Sequence, residues 1–117
     1  MTIIKLTNEH RGVNSTTFTG RPQGKEVRVN LKLSEVDKTE EKICIEIPSG
    51  TTSFNPSFYL GLFYDSIVFL GGLNNFKDKY DIIYADKNDE IVDILKENIN
   101  DCERQAAREF KRNSNKQ

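Results

Sequence analysis

Residues 49–57, S-G-T-T-S-F-N-P-S, hold the densest set of groups in this chain able to do chemistry. Ser49, Thr51, Thr52, Ser53 and Ser57 supply five hydroxyls. Asn55 is a favoured helix N-cap, and Pro56 suits the first helical turn, where a missing N–H costs nothing. A helix starting there turns unpaired N–H groups and the positive end of its dipole toward the loop. Hydroxyls and N–H donors together suit an anion. The same groups also suit a structural role, capping the helix and tying the loop down. A second cluster is Arg21-Pro22-Gln23-Gly24 with Arg28. Two guanidiniums beside a glycine could grip a carboxylate or phosphate bidentately, or stand solvated at a surface turn.

Other chemistry finds no residues. His10 is the single histidine, and Cys44 and Cys102 lie far apart, so no zinc site of the usual spacing can be drawn. A nucleophile–base pairing fails for the same reason. There is no nucleophile elbow, phosphate-binding loop or dinucleotide fingerprint. Glu46, Asp65 and Asp81 are scattered carboxylates, expected to be solvated or ion-paired. The expectation is a non-enzyme without metal or cofactor.

The elements that must position these groups centre on residues 42–72, which hold four of the seven phenylalanines. Ile43, Ile45 and Ile47 alternate with Cys44 and Glu46, as in a strand in the middle of a covered sheet; Pro48 ends it. From Phe58 to Leu70 nearly every helical face is apolar, so this helix must be covered. The C-terminal helix and residues 24–33 are the candidates; failing them, a homodimer is implied. Gly71-Gly72 closes the helix.

Around this centre, residues 2–6 (TIIKL) read as a strand and residues 10–24 as a loop. Phe18 either anchors that loop to the core or begins a short strand at residues 16–19. In residues 24–33, Val27, Val29, Leu31 and Leu33 alternate, which leans to strand, while Lys25, Glu26 and Arg28 are good helix formers. Residues 34–41 read as a charged linker and 73–79 as a loop or one helical turn. Residues 80–85 (YDIIYA) form the next strand. Asn88 or Asp89 caps a final helix whose stripe is Ile91, Ile94, Leu95, Ile99, Cys102, Ala106 and Phe110. The whole is one α/β domain over residues 1–117, a small mixed, partly parallel sheet covered by helices. Residues 1–16 are its N-terminal strand and loop, and residues 113–117 are expected to fray.

Basic and acidic residues number 17 and 18, a net charge of −1, which gives no reason to expect nucleic acid or an anionic membrane as partner. No apolar run approaches the roughly 18 residues of a membrane span, and the first residues lack the apolar core of a signal peptide. Cys44 and Cys102 read as reduced, buried thiols, and a cytoplasmic location is expected.

The stretches T-G-R-P-Q-G-K-E-V-R (residues 19–28) and I-C-I-E-I-P-S-G-T-T-S-F-N-P-S-F-Y-L-G-L-F (residues 43–63), with the spacing to F-K-D-K-Y (residues 76–80), resemble bacterial STAS-like domains of unknown function. The resemblance spans about residues 17–100. Its most specific part is Ser57-Phe58 to Gly61-Leu62-Phe63. More distantly, strand, loop and helix are similar to the STAS domains of anti-sigma factor antagonists. That resemblance implies a small regulatory module that binds a histidine-kinase-like ATPase and is switched by phosphorylation of a serine at this helix start. Laid over the antagonists' D-S-S-G motif, this chain has Asn55 at the acidic position, Pro56 at the phosphorylated serine, Ser57 at the second serine and Phe58 at the glycine. Ser57 or Ser53 would have to take the phosphoryl group instead. The resemblance also implies that residues 24–31 open a helix, against the alternation, and we adopt that expectation.

The functional expectation is thus a non-enzymatic, partner-binding domain acting through residues 49–57. Its binding residues would be Arg21, Arg28, Thr51, Thr52, Ser53, Asn55 and Ser57, with Ser57 or Ser53 as the phosphorylation site. The alternative is a sensor holding a nucleotide or other small anion at the same helix start.

Overall fold

The computed structural model describes residues 2–114. Along the chain run β1 (Thr2–Lys5), α1 (Asn8–Arg11), β2 (Thr17–Phe18), α2 (Arg21–Asn30), α3 (Leu33–Asp37), β3 (Ile43–Ile47), β4 (Ser53–Phe54), α4 (Pro56–Leu70), α5 (Leu73–Lys79), β5 (Tyr80–Tyr84) and α6 (Asp89–Ser114). The fold is α/β. β3 lies in the middle of a three-stranded sheet of order β1-β3-β5, and both of its pairings are parallel. Each crossover moves one strand over in the same direction, so right-handed connections carry α2 and α4 across one face. The register aligns Ile4, Ile45 and Ile82 toward the helices. Ile3, Cys44 and Asp81 turn to the other face, where Ile3 is 54% exposed.

α4 is the central helix, flanked by α2 on one side and α6 on the other. Phe58, Tyr59, Leu62, Phe63 and Ile67 on α4 are buried, and a chain of ring contacts runs from Phe18 through Phe54, Phe58, Tyr59 and Phe63 to Phe76 and Tyr80. The cover that α4's apolar circumference demands comes from its two neighbours. Only the last turn escapes it, leaving Val68 and Phe69 exposed.

Residues 21–30 are helical, as the resemblance implied and the alternation did not. Pro22 stands in the first turn, Val27 is buried and Val29 is exposed, so the alternating valines are a coincidence of composition. The deciding contact is between glycines. A Cβ on Gly24 would lie 2.3 Å from the Phe58 carbonyl oxygen, and one on Gly61 would lie 2.1 Å from the Arg21 carbonyl oxygen. Two helices meeting backbone to backbone satisfy a segment that a strand could not place there.

Several other expectations are corrected. The 10–24 loop contains the end of α1, the strand β2 and the start of α2, with Phe18 both in the strand and fully buried. The 34–41 linker begins as α3, and Asp37 within it is buried. Residues 73–79 make two helical turns. Ile94 of the α6 stripe is exposed. Asn113 and Ser114 continue α6, with Asn113 Nδ2 donating to the Tyr64 hydroxyl at 2.7 Å, so the expected fraying does not reach them; residues 115–117 lie outside the described residues. Among the described residues no single helix is long and apolar enough to cross a membrane.

Candidate functional site

α2 and α4 run in the same direction, so their N-termini lie together, at the end of the sheet where β1 and β3 finish. The loops before them are laced to each other. β2 and β4 pair in parallel, and the Thr52 N–H donates to the Thr16 carbonyl at 2.7 Å. Side chains repeat the pairing: Thr16 with Thr52 at 2.8 Å, Ser53 donating to Thr17 at 3.0 Å, and Asn55 Nδ2 donating to Thr19 at 2.9 Å. The hydroxyl-rich run is thus half of a threonine-lined ladder, because residues 15–19 carry the matching hydroxyls.

Each expected site residue has a definite place. Thr51 is fully buried; its hydroxyl donates to the Pro48 carbonyl at 2.8 Å and accepts from Arg11 Nη1 at 2.7 Å. Thr52 and Ser53 belong to the ladder, Thr52 exposed and Ser53 half-buried. Asn55 occupies the N-cap with extended backbone, but its side chain makes no cap bond; its Nδ2 donates to Thr19 instead. Ser57 is exposed in the first turn of α4, and its Oγ accepts the Gly20 N–H at 3.2 Å. Gly20 itself sits at φ +93°, a conformation that glycine alone adopts cheaply.

The two arginines are not near this loop in the sense expected. Arg21 is clamped by Glu109 of α6, with bonds of 3.1 and 2.8 Å, and lies over the Tyr64 ring. The Glu109 bonds hold the guanidinium's pKa above its ordinary value, and the Arg21 guanidinium in turn holds the Glu109 carboxyl below the usual range. Arg28 is buried among Leu62, Ser66 and Asp37. A buried guanidinium bonded through both terminal nitrogens does not reach a ligand at the helix start.

Other residues, which the sequence did not single out, stand there instead. Arg11 binds Ser15, Thr51 and Ser49 and fastens both loops. Asn98 Oδ1 accepts the Phe54 N–H at 2.9 Å, linking α6 to β4. Asp86 accepts from the Asn88 and Gly50 N–H groups, which lower its carboxyl pKa. Beside Asn55 and Pro56 opens a cleft of about 340 Å³ whose far wall is Asn98, Asp101, Arg104, Gln105 and Arg108 of α6. Arg104 is paired with Asp101. Arg108 has no partner among the described residues. The spacing of Arg104 and Arg108 puts both on one helical face, which the sequence would have shown had the cleft been known.

No family model, curated protein or solved structure matches this chain. Among the described residues no three metal-ligating side chains come together. The arrangement offers donors to an anion and the exposed hydroxyls of Ser49, Thr52 and Ser57, of which Ser57 stands in the first turn of α4.

Proposed function

We propose that this chain is a non-enzymatic regulatory domain of STAS-like type that binds a protein partner through the joined helix starts, with Ser57 as its switch. The carrying observation is the exposed Ser57 hydroxyl on the Gly20 N–H at 3.2 Å. A phosphoryl group there would gain the field of two parallel helix N-termini and would displace the contact that joins α2 to α4 at this surface. Ser53 is the poorer candidate, because its hydroxyl is committed to Thr17 inside the ladder. A histidine-kinase-like ATPase is the partner class that the resemblance suggests. The test compares tagged wild type, Ser57→Ala and Ser57→Asp in pull-downs from the native cell, with phosphosite mapping. A partner retained by Ser57→Ala and lost by Ser57→Asp supports the switch; equal capture by all three removes it.

The cleft beside Pro56 favours a second reading, an anion sensor. Arg108 lacks a partner among the described residues, and Asn98 and Gln105 add polar groups on the same wall. Thermal stabilisation by a nucleotide or inorganic phosphate, lost in Arg108→Ala, would support it.

A further inference from the structure

α6 runs 26 residues, about 39 Å of helix, against a molecule 43 Å in its longest direction. Its buried stripe is Leu95, Ile99, Cys102 and Ala106. The ridge on the opposite side is charged, and its charges are segregated. Glu90, Asp93 and Glu97 come first; Arg104, Arg108 and Lys111 follow, and all six are exposed. Glu90, Glu97, Arg104 and Lys111 recur every seven residues, which holds them on one line of the helix.

A helix face that served only to meet water would gain from the reverse arrangement. Opposite charges three and four residues apart support a helix, and like charges at those spacings weaken it. Here the neighbours are alike: Glu90 with Asp93, Asp93 with Glu97, Arg104 with Arg108, and Arg108 with Lys111. The helix dipole favours acids in the first turn and bases in the last, which accounts for Glu90 and Lys111. Its effect fades beyond those turns, so Asp93, Glu97, Arg104 and Arg108 lack that support. Asp93, Glu97 and Arg108 have no ion-pair partner among the described residues, and Arg104 has only Asp101.

The order of the two blocks points to what fits them. We propose that α6 pairs with α6 of a second copy, antiparallel, about a two-fold axis that passes between Asn100 and Asp101. That axis brings Glu97 level with Arg104 of the second copy, Asp93 with Arg108, and Glu90 with Lys111, and the symmetry makes each pair twice. A shift of one turn still sets acid against base. A parallel pair would set each charge against its own image, so only the antiparallel arrangement attracts. Asp101 falls beside its own image at the axis, and Arg104 of the same helix offsets that repulsion. α4 is covered by its neighbours within the chain, so this contact is not the pairing that its apolar circumference would otherwise have forced. Ser57 bonds Gly20 and not α6, so dimer and switch stand or fall separately.

The test is sedimentation equilibrium of the full chain up to about 1 mM, at about 0.02 and 0.5 M salt. A contact made of exposed ion pairs is weak, so a Kd on the order of 100 μM is expected at low salt, rising about tenfold or more at high salt. Glu97→Arg and Arg104→Glu should each raise the Kd about tenfold or more, because each sets like charges level on both sides of the axis. Mixed in equal amounts, the two variants should regain the dimer, since the like charges of one then face the opposite charges of the other. Circular dichroism checks the fold, and Glu90→Lys with Lys111→Glu repeats the experiment if Arg104→Glu does not fold. A wild-type chain that stays monomeric at about 1 mM in low salt would overturn the proposal. So would a dimer that the single reversals leave intact, or variants that fail to recombine.

Discussion

Arg28 and Asp37 stand nine residues apart in the chain and 2.8 Å apart in the core. Asp37 Oδ2 also accepts from the Ser66 hydroxyl at 2.8 Å, and Oδ1 from the Tyr80 hydroxyl at 2.6 Å. Arg28 Nη1 donates to the Leu62 carbonyl and to Ser66. One ion pair thus ties α2, α3, α4 and β5. Removing either partner strands a buried charge, so Arg28→Ala and Asp37→Ala are each expected to cost about 3–5 kcal/mol. The double variant Arg28→Met/Asp37→Leu should cost far less than the sum. Urea unfolding of the four proteins measures this; additive losses would show that the pair is not a unit.

Alanine normally gains about 1 kcal/mol over glycine inside a helix. At Gly24 and Gly61 the sign should reverse, because the added methyl meets a carbonyl oxygen of the facing helix at 2.3 or 2.1 Å. Overpacking costs about 1–3 kcal/mol, so each single Gly→Ala variant should melt lower than wild type. The pair share one contact, so the double variant should lose less than both losses added. A higher melting temperature for either single variant would refute the close crossing.

The same residues show what the sequence could tell. The isoleucine alternation in β3, the Asn55-Pro56 start of α4 and the stripe of α6 are local signals, and each element formed where its pattern stood. The 21–30 helix was ambiguous because its determinants, Gly24 against Phe58 and Arg28 against Asp37, are contacts between distant parts. Asp37 looked like part of a charged linker for the same reason: its partners are Arg28, Ser66 and Tyr80. The hydroxyls of residues 49–57 were legible as a cluster, but their use was not. Thr16, Thr17 and Thr19 pair with them only because β2 lies beside β4. Of the expected site residues, Ser57 alone keeps an exposed hydroxyl at the helix start without a ladder partner, and Arg104 and Arg108 enter the site from α6.

Glu109 carries a pH dependence of definite sign. The Arg21 hydrogen bonds lower its folded pKa below the ordinary 4.5. A depressed carboxylate contributes stability that is present above the unfolded pKa and lost as pH falls through the folded one. The docking of α6 on α2 should therefore weaken as the solution is acidified below the ordinary glutamate range. Glu109→Gln should lower stability at neutral pH and flatten that part of the acid limb. Thermal melts across the acid range check it; an unchanged acid limb would mean that the clamp contributes nothing.

Cys102 reports on the same core. Its thiol is fully buried, donates to the Phe54 carbonyl at 3.6 Å and is pushed up to about 12 by burial. A thiol so placed forms almost no thiolate at pH 8, so a maleimide should label it only when the core opens. The labelling rate then follows the population of open molecules. If Asp37→Ala costs about 3 kcal/mol, Cys102 labelling should rise about a hundredfold. Cys44→Ser isolates the signal, and denaturant fixes the fully open rate. Equal rates in wild type and Asp37→Ala would show that α6 can lift from β4 while the Arg28–Asp37 core stays closed, separating the fold into two units that open independently.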